Sequence, residues 1–497
     1  MAPQNLFADA RRALAWSAIA KWLDVGGSAA IFLAMVTLLG PDIFGLYGMA
    51  LVATALPEAI AGGALSESIV QRRDLRPGHL NATFWMELGL ALVLFVVLLF
   101  LTPHLAKVFG QQQLLQLIPV MAGTLFLLAL GAAAAGKLQR ELRFKAIAAV
   151  DAIGSICAAV VGLVLALMHF GVWSLIWMEV SRRGVRSIAF AACAGWRPSF
   201  SFNMQDVRDL ARFNIMTLAT RVANEADNAV PRFFIGATLG PHALGYFNFA
   251  WRIYQQAAAI IIAPFWAVAM PVASNAQHDH ALLRSALNGA AKLTSLIAYP
   301  IFLGAAAIAP LAIPTLLGKE WAPAVVVVQI ILLNGIRAGA SPLTTGVLRG
   351  VGAAGWSLAI VAAEAVMGLL LTPLAAPFGL AAVAWVTLGR SYWAWLAGAA
   401  LLKRAIGYPI WPQFFIGWRS LASAAVMAAV VWTLQRFALP AGSGLLGVAG
   451  LVAVGMVVYV ATLFVLSPQL AQRLVNIALA VLRRDRETLS ALLRPAA

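Results

Sequence analysis

Charge is what this chain lacks. Asp, Glu, Lys and Arg make up only 11% of its 497 residues, with 19 acidic side chains against 35 basic ones. A soluble domain carries about 25% charged and about 45–50% apolar residues. This chain is 62% hydrophobic, with a mean hydropathy of +0.87. No water-facing surface can be built from that balance, so a soluble enzyme is excluded and lipid is the solvent for most of the exterior. Cysteine is nearly absent: Cys157 and Cys193 are too few for a disulfide scaffold or a paired-cysteine metal site. The six His residues are dispersed, and the chain has no phosphate-binding glycine loop and no Gly-x-Ser-x-Gly elbow. The residue pattern therefore calls for no cofactor and no metal. A cleavable leader is not expected either, because the N-terminus is polar and the first apolar run is long enough to span and stay.

Long apolar runs are what the chain has in their place. A spanning helix needs roughly 20 apolar residues, and about fourteen such runs are present: 14–39, 43–64, 80–102, 113–136, 146–168, 171–192, 208–237, 242–270, 286–314, 322–347, 356–376, 379–401, 414–436 and 443–466. Barrel strands would alternate over about ten residues. These runs are longer and continuous, so the fold class is all-α and polytopic. Pro300, Pro310, Pro314 and Pro323 interrupt 286–347 and make its boundaries the hardest to place.

The net charge of +16 is not a nucleic-acid signature, because the cations fall in alternate loops. They gather at Arg11 and Arg12; at Arg72, Arg73 and Arg76; at Lys137, Arg140, Arg143 and Lys145; at Arg182, Arg183, Arg186 and Arg197; at Lys403 and Arg404; and at Arg483, Arg484 and Arg486. The intervening loops hold little beyond Lys107, Lys319 and Arg436. That alternation places both termini in the cytoplasm, with contact to the lipid bilayer and no nucleic-acid partner. Trp16, Trp196, Trp321 and Trp411 fall near run ends, as interfacial anchors do.

Residues 17–50 recur at 217–250. Leu39-Gly40-Pro41-x-x-x-Gly45-Leu46-Tyr47 is answered by Leu239-Gly240-Pro241-x-x-x-Gly245-Tyr246-Phe247. Ser17, Lys21, Asp24 and Ser28 are answered by Thr217, Arg221, Asn224 and Asn228, each set on one helix face. Weaker matches follow in the same order: Thr102-Pro103 to Gly110 with Ala309-Pro310 to Gly318, and Phe170-Gly171 with Phe378-Gly379. Six spans per copy keep the orientation, so the copies are expected to be parallel repeats. The expected organisation is an N-terminal lobe at 1–192, a cytoplasmic linker at 193–207, a second lobe at 208–402, two additional helices within 403–466, and a cytoplasmic amphipathic tail at 467–497.

Charges inside spans are costly, about 2.5–3.5 kcal/mol each at mid-helix, and mark polar interiors. They concentrate in the opening two helices of each copy. Lys21, Arg221 and Arg252, with Asn224 and Asn228, are candidates to hold an anionic group, Arg offering forked contacts to phosphate oxygens. Lys21 could equally snorkel to the interface. Asp24, Glu58, Glu225 and Asp227 are candidates for ion coupling, the alternative for each being an internal salt bridge. Arg232, near the outer end of its span, is a weaker candidate, and Glu179, Asp151, Glu364, Arg337 and Arg390 read as packing or gating groups. Pro57, Pro264 and Pro271 are expected to bend or end the polar helices.

Four stretches carry a family likeness: Leu39-Gly40-Pro41-Asp42-x-Phe44-Gly45-Leu46-Tyr47, Ser68-Ile69-Val70-Gln71-Arg72-Arg73-Asp74-Leu75, Leu142-Arg143-Phe144-Lys145 and Gly171-Val172-Trp173-Ser174-Leu175. Together they resemble the polysaccharide transporter family, the repeat-unit exporter branch of the multidrug/oligosaccharidyl-lipid/polysaccharide superfamily. The resemblance implies two six-helix lobes around a V-shaped cavity lined by the first, second, seventh and eighth helices, with two extra C-terminal helices. It further implies flipping of an undecaprenyl-diphosphate-linked oligosaccharide across the bacterial inner membrane by alternating access, beside polymerase and export machinery. The alternatives are a cation-coupled drug antiporter, which wants an acidic cleft, a membrane polymerase or ligase, which wants a long outer loop, and a non-transporting scaffold.

Overall fold

A computed structural model describes residues 26–62, 66, 69–70, 76–201, 215–275, 279–341, 344–437, 444–472 and 475–476. Among the described residues there are helices and turns but no strands. Lys21, Asp24 and most of the expected amphipathic tail lie outside them. The longer described helices are α1 (Gly26–Leu38), α2 (Pro41–Ala61), α3 (Pro77–Val108), α4 (Leu114–Arg140), α5 (Phe144–Leu167), α6 (Val172–Ala194), α7 (215–239), α8 (241–275), α9 (His280–Leu317), α10 (Ala324–Ala340), α11 (Ala354–Ala375), α12 (Leu380–Ile406), α13 (Trp418–Phe437) and α14 (Gly444–Leu466), with short helices at Thr344–Gly350 and Ile410–Phe415 between them. Eight are long and apolar enough to cross a membrane: those beginning at Pro41, Gly78, Leu114, Phe144, His280, Gly355, Ile410 and Gly444. Large apolar side chains such as Phe100, Val93, Leu370 and Val465 stand exposed on them, which water would penalise and lipid does not.

The chain divides into two compact units, residues 1–245 and 246–497. In the first, α4 is central, packed against α3, α6 and α2. Over half of its apolar window is buried (56%), against 22% for α3, so α3 is the lipid-facing member of that pair. The α5–α6 contact follows from a stripe of small residues: Val150, Gly154, Ala158, Gly162 and Ala166 recur every fourth residue and are all buried. A Cβ on Gly154 would lie 2.5 Å from Arg186 Cγ, and one on Gly162 2.9 Å from Met178 Sδ. Close approach of backbones is what associates helices where lipid supplies no hydrophobic drive. The start of the expected linker folds back on α3. Asn81 Nδ2 donates to Ser199 Oγ at 2.8 Å, Trp85 Nε1 donates to the Ser199 carbonyl at 3.0 Å, and the Trp85 and Phe200 rings stack at 4.2 Å.

The two copies of the Leu-Gly-Pro-x-x-x-Gly motif meet in this unit. A Cβ on Gly45 would sit 1.8 Å from the Pro241 carbonyl oxygen, and one on Gly245 would sit 2.1 Å from the Pro41 carbonyl oxygen. Only hydrogen fits at either place, so the glycines are there to let helix starts touch backbone to backbone. The contact is reciprocal, as a local two-fold requires. Asp42 and His242, also equivalent, pair at 2.8 Å beside it. Gly240, at φ 81°, takes the left-handed backbone that breaks α7 from α8.

In the second unit α9 packs against α13, α14 and α10. Pro300, Pro310 and Pro314, which make the boundaries of 286–347 hard to place from sequence, all lie within α9, which runs through them to Leu317. Lipid-buried helices tolerate proline where neighbours re-satisfy the freed carbonyls. Likewise α8 continues past Pro264 and Pro271 to Asn275, and α2 contains Pro57. Tyr459 OH, on α14, donates to the buried Leu296 carbonyl of α9 at 2.8 Å. Trp321, expected at an interface, is fully buried instead, with Tyr246 and Phe249 ring centroids 6.0 and 5.0 Å away.

Candidate functional site

The polar interior of the first unit is built at the C-terminal end of α2. Its last turn carries Glu58, one residue past Pro57, and closes with the Gly62 N–H donating to the Glu58 carbonyl at 2.7 Å. From α6, Arg183 reaches three partners. Its Nη2 donates to Glu58 Oε2 at 2.8 Å, its Nη1 donates to Thr124 Oγ1 of α4 at 2.8 Å, and its Nε donates to Glu179 Oε1. Arg182 adds a forked contact to Glu179 at 2.6 and 2.7 Å. The Glu179 side chain is 4% exposed and Arg183 9%, so this is an ion network away from water, and each buried charge in it is paired. Glu58 is more open, with a side chain 21% exposed.

Arg182, Arg183 and Arg186 therefore depart from the sequence expectation. Their place in the alternating pattern of cations predicts a cytoplasmic basic loop, whereas α6 carries all three inside its helix. Arg183 and Glu179 do internal electrostatic work, and Arg186 binds Asp151 at 2.8 Å. The Glu179–Arg183 spacing of one helical turn was the available signal. Other cations sit at helix ends and bind backbone carbonyls. Lys137 Nζ donates to the Ala194 carbonyl at 2.8 Å, Arg140 Nη1 to the Ile69 carbonyl at 2.8 Å and Arg143 Nη1 to the Cys193 carbonyl at 3.0 Å. Cations on terminal carbonyls complement the helix dipole.

On the opposite side of the α2 end lies α7. Arg221 Nη1 donates to the Gly62 carbonyl at 2.7 Å, tying the head of α7 to the foot of α2 within a turn of Glu58. Asn224 and Asn228 continue along α7, their amides donating to the Thr220 and Asn224 carbonyls at 2.7 and 3.0 Å, which leaves their Oδ1 atoms as acceptors. Glu225 and Asp227 are half-buried on the same helix, and Glu225 senses both the Arg232 cation and the Glu58 carboxylate. Of the sequence-derived candidates, the structure thus gathers Glu58, Arg221, Asn224, Glu225, Asp227 and Asn228 into one unit. Arg252 belongs to the other unit, exposed on α8 next to Trp251, whose ring stacks near Phe247 and Tyr254. Among the described residues no three His, Cys, Asp or Glu side chains are grouped to hold a metal ion.

Such an arrangement can attract an anion through Arg221 while the Glu58–Arg183 pair keeps the adjoining wall neutral.

A family model described as polysaccharide biosynthesis protein matches residues 34–326. The chain is 26% identical over 479 residues to the succinoglycan biosynthesis transport protein ExoT of Rhizobium meliloti (strain 1021), covering 94% of this chain and 95% of that protein. It is 22% identical over 335 residues to the lipopolysaccharide biosynthesis protein WzxC of Escherichia coli (strain K12), covering 66% of this chain and 67% of that one. Among solved structures, the fold is similar to that of the lipid II flippase MurJ in an inward closed conformation, with a TM-score of 0.71 at 14% identity, covering 89% of this chain and 99% of that chain. It is also similar to an inward-facing multidrug resistance MATE transporter of the MOP superfamily, with a TM-score of 0.60 at 16% identity, covering 78% and 98%.

Proposed function

This chain belongs to the polysaccharide biosynthesis protein family, and from that premise we propose that it is a flippase, carrying a lipid-linked oligosaccharide repeat unit across the bacterial inner membrane for surface polysaccharide synthesis. The observation that carries the reading is similarity along nearly the whole chain to a succinoglycan transport protein. The carrier is a polyprenyl diphosphate, and Arg221, with Lys21 and Arg252, supplies its counter-charge. Asn224 and Asn228 offer acceptors to sugar hydroxyls. Asp24, Glu58, Glu225 and Asp227 are the groups for ion coupling. Glu58 enters that role already paired with Arg183, so its discharge is linked to movement of α6 against α2.

The architecture that goes with this function is fourteen helices, two parallel six-helix repeats at 1–192 and 208–402 and two further helices at 403–466, with both termini cytoplasmic. It is supported by the duplicated motif, whose copies touch at Gly45 and Gly245, and by a described helix overlapping each expected span. The antiporter reading wants free carboxylates for a cationic drug. Arginines neutralise Glu58 and Glu179 here, which takes two of those carboxylates away from a cationic cargo.

The test is a deletion strain complemented with wild-type protein or with Arg221→Ala. Removing one Arg–phosphate contact should lower surface polymer about tenfold, while the lipid-linked unit accumulates on the cytoplasmic face. Normal polymer in the uncomplemented deletion strain refutes the function. Normal polymer with Arg221→Ala refutes the role given to that residue.

A further inference from the structure

A cavity of about 680 Å³ opens in the first unit where four helices begin, away from the site just described. Its walls are the start of α2 at Asp42, the turn into α4 with Gln111, Gln113 and Gln116, and the turn into α6 with His169 and Trp173. These turns lie at the ends of α3–α6 opposite the basic turn Lys137–Lys145, which places them on the outer side. None of the three Gln amides makes a side-chain hydrogen bond among the described residues, and neither does the His169 imidazole or the Trp173 indole N–H. His169 itself holds a left-handed φ of 61°, a conformation that costs energy and clusters at ligand sites.

The corresponding turn of the second copy is filled. Three residues beyond Gly318, as Gln113 stands three beyond Gly110, lies Trp321. It is fully buried against Tyr246 and Phe249, with Tyr246 OH donating to the Glu320 carbonyl at 2.9 Å. One copy of the same loop plugs itself with an indole, and the other leaves an amide-lined hollow. A packing defect would be apolar and closed. This hollow is open, and its wall mixes amides with apolar side chains such as Ile43, Leu46 and Phe170.

We infer that this outer hollow is a saccharide subsite, receiving sugar rings of the translocated unit as they leave the interior. Amides pair a donor with an acceptor and so match vicinal hydroxyls, and an aromatic ring gives the apolar face of a pyranose something to lie against. No Lys or Arg lines it, so it is not a second diphosphate site. The volume falls within the ~300–1,000 Å³ of small-ligand sites and accommodates more than one ring. The inference rests on the flippase reading and assigns the sugar end of its cargo.

The test is saturation-transfer NMR on the protein in sugar-free lipid nanodiscs with cellotetraose as probe, for wild type, Trp173→Leu, Gln113→Trp and the Gln113→Ala/Gln116→Ala double variant. Wild type should transfer saturation to sugar-ring protons, and each variant should weaken the signal about fivefold at unchanged melting temperature. Gln113→Trp imitates the plug of the second copy; should it misfold, the alanine pair alters exposed positions only and keeps the test valid. Equal transfer in all variants, no transfer in wild type, or displacement by inorganic pyrophosphate each overturns the subsite. Polymer output separates the two ideas: if the deletion strain loses export while the hollow variants export and bind cellotetraose as wild type does, the subsite falls and the flippase stands.

Discussion

Replacing Arg183 by Met keeps most of the side-chain volume and removes every charge-assisted bond it makes. Three are lost, to Glu58, Glu179 and Thr124. The consequences for the two carboxylates differ. Glu179 keeps the forked contact from Arg182, whereas Glu58 loses its salt bridge, with its Oε1 already buried and unpartnered. Removing one member of a buried pair costs about 3–5 kcal/mol. Partial exposure of Glu58 and the persistence of Arg182 place the expected loss at the lower end, ~3 kcal/mol. Glu58→Gln alone should cost less, ~1 kcal/mol, since Arg183 retains Glu179. The double variant Glu58→Gln/Arg183→Met removes the stranded charge, so it should be more stable than Arg183→Met alone, with a coupling of about 1–3 kcal/mol. Equilibrium unfolding in detergent, followed by tryptophan fluorescence, closes the cycle. An Arg183→Met protein within ~0.5 kcal/mol of wild type, or a double variant losing the full sum, would refute the network as a stabilising unit.

Two further outcomes follow from local geometry. Gly45→Ala should destabilise by about 1–3 kcal/mol as an overpacked contact against backbone that cannot rotate aside, and Gly245→Ala likewise; combined, they should cost less than their sum because both open the same reciprocal contact, as melting of the three variants will reveal. In the turn between α12 and α13, the Tyr408 hydroxyl donates to Asn288 Oδ1, and Tyr408→Phe should cost ~1 kcal/mol at neutral pH. Burial pushes the Tyr408 phenol up to about 12 from its usual 10.0. The unfolded chain then loses this proton first as pH rises, so the folded state should weaken between pH 10.0 and about 12 in wild type and less steeply in Tyr408→Phe. Unfolding curves at stepped alkaline pH would expose a reversed slope.

Composition and local pattern determined the class: scarce charge and long apolar runs leave only a helical membrane protein, and the repeated Leu-Gly-Pro-x-x-x-Gly segment marks an internal duplication. Polar stripes such as Arg221, Glu225 and Asn228 were legible because one helix face is written at fixed spacing. What only the tertiary structure decided is which charges meet. Arg183 looked like a topological cation because nothing nearby in sequence shows that Glu58, 125 residues earlier, lies against it. Trp321 looked like an interfacial anchor because run position carries no information on neighbouring helices, and it is buried by Tyr246 and Phe249. The glycines at 45 and 245 were visible as a motif, but their reason was not: a missing side chain acquires meaning only when another backbone occupies its place.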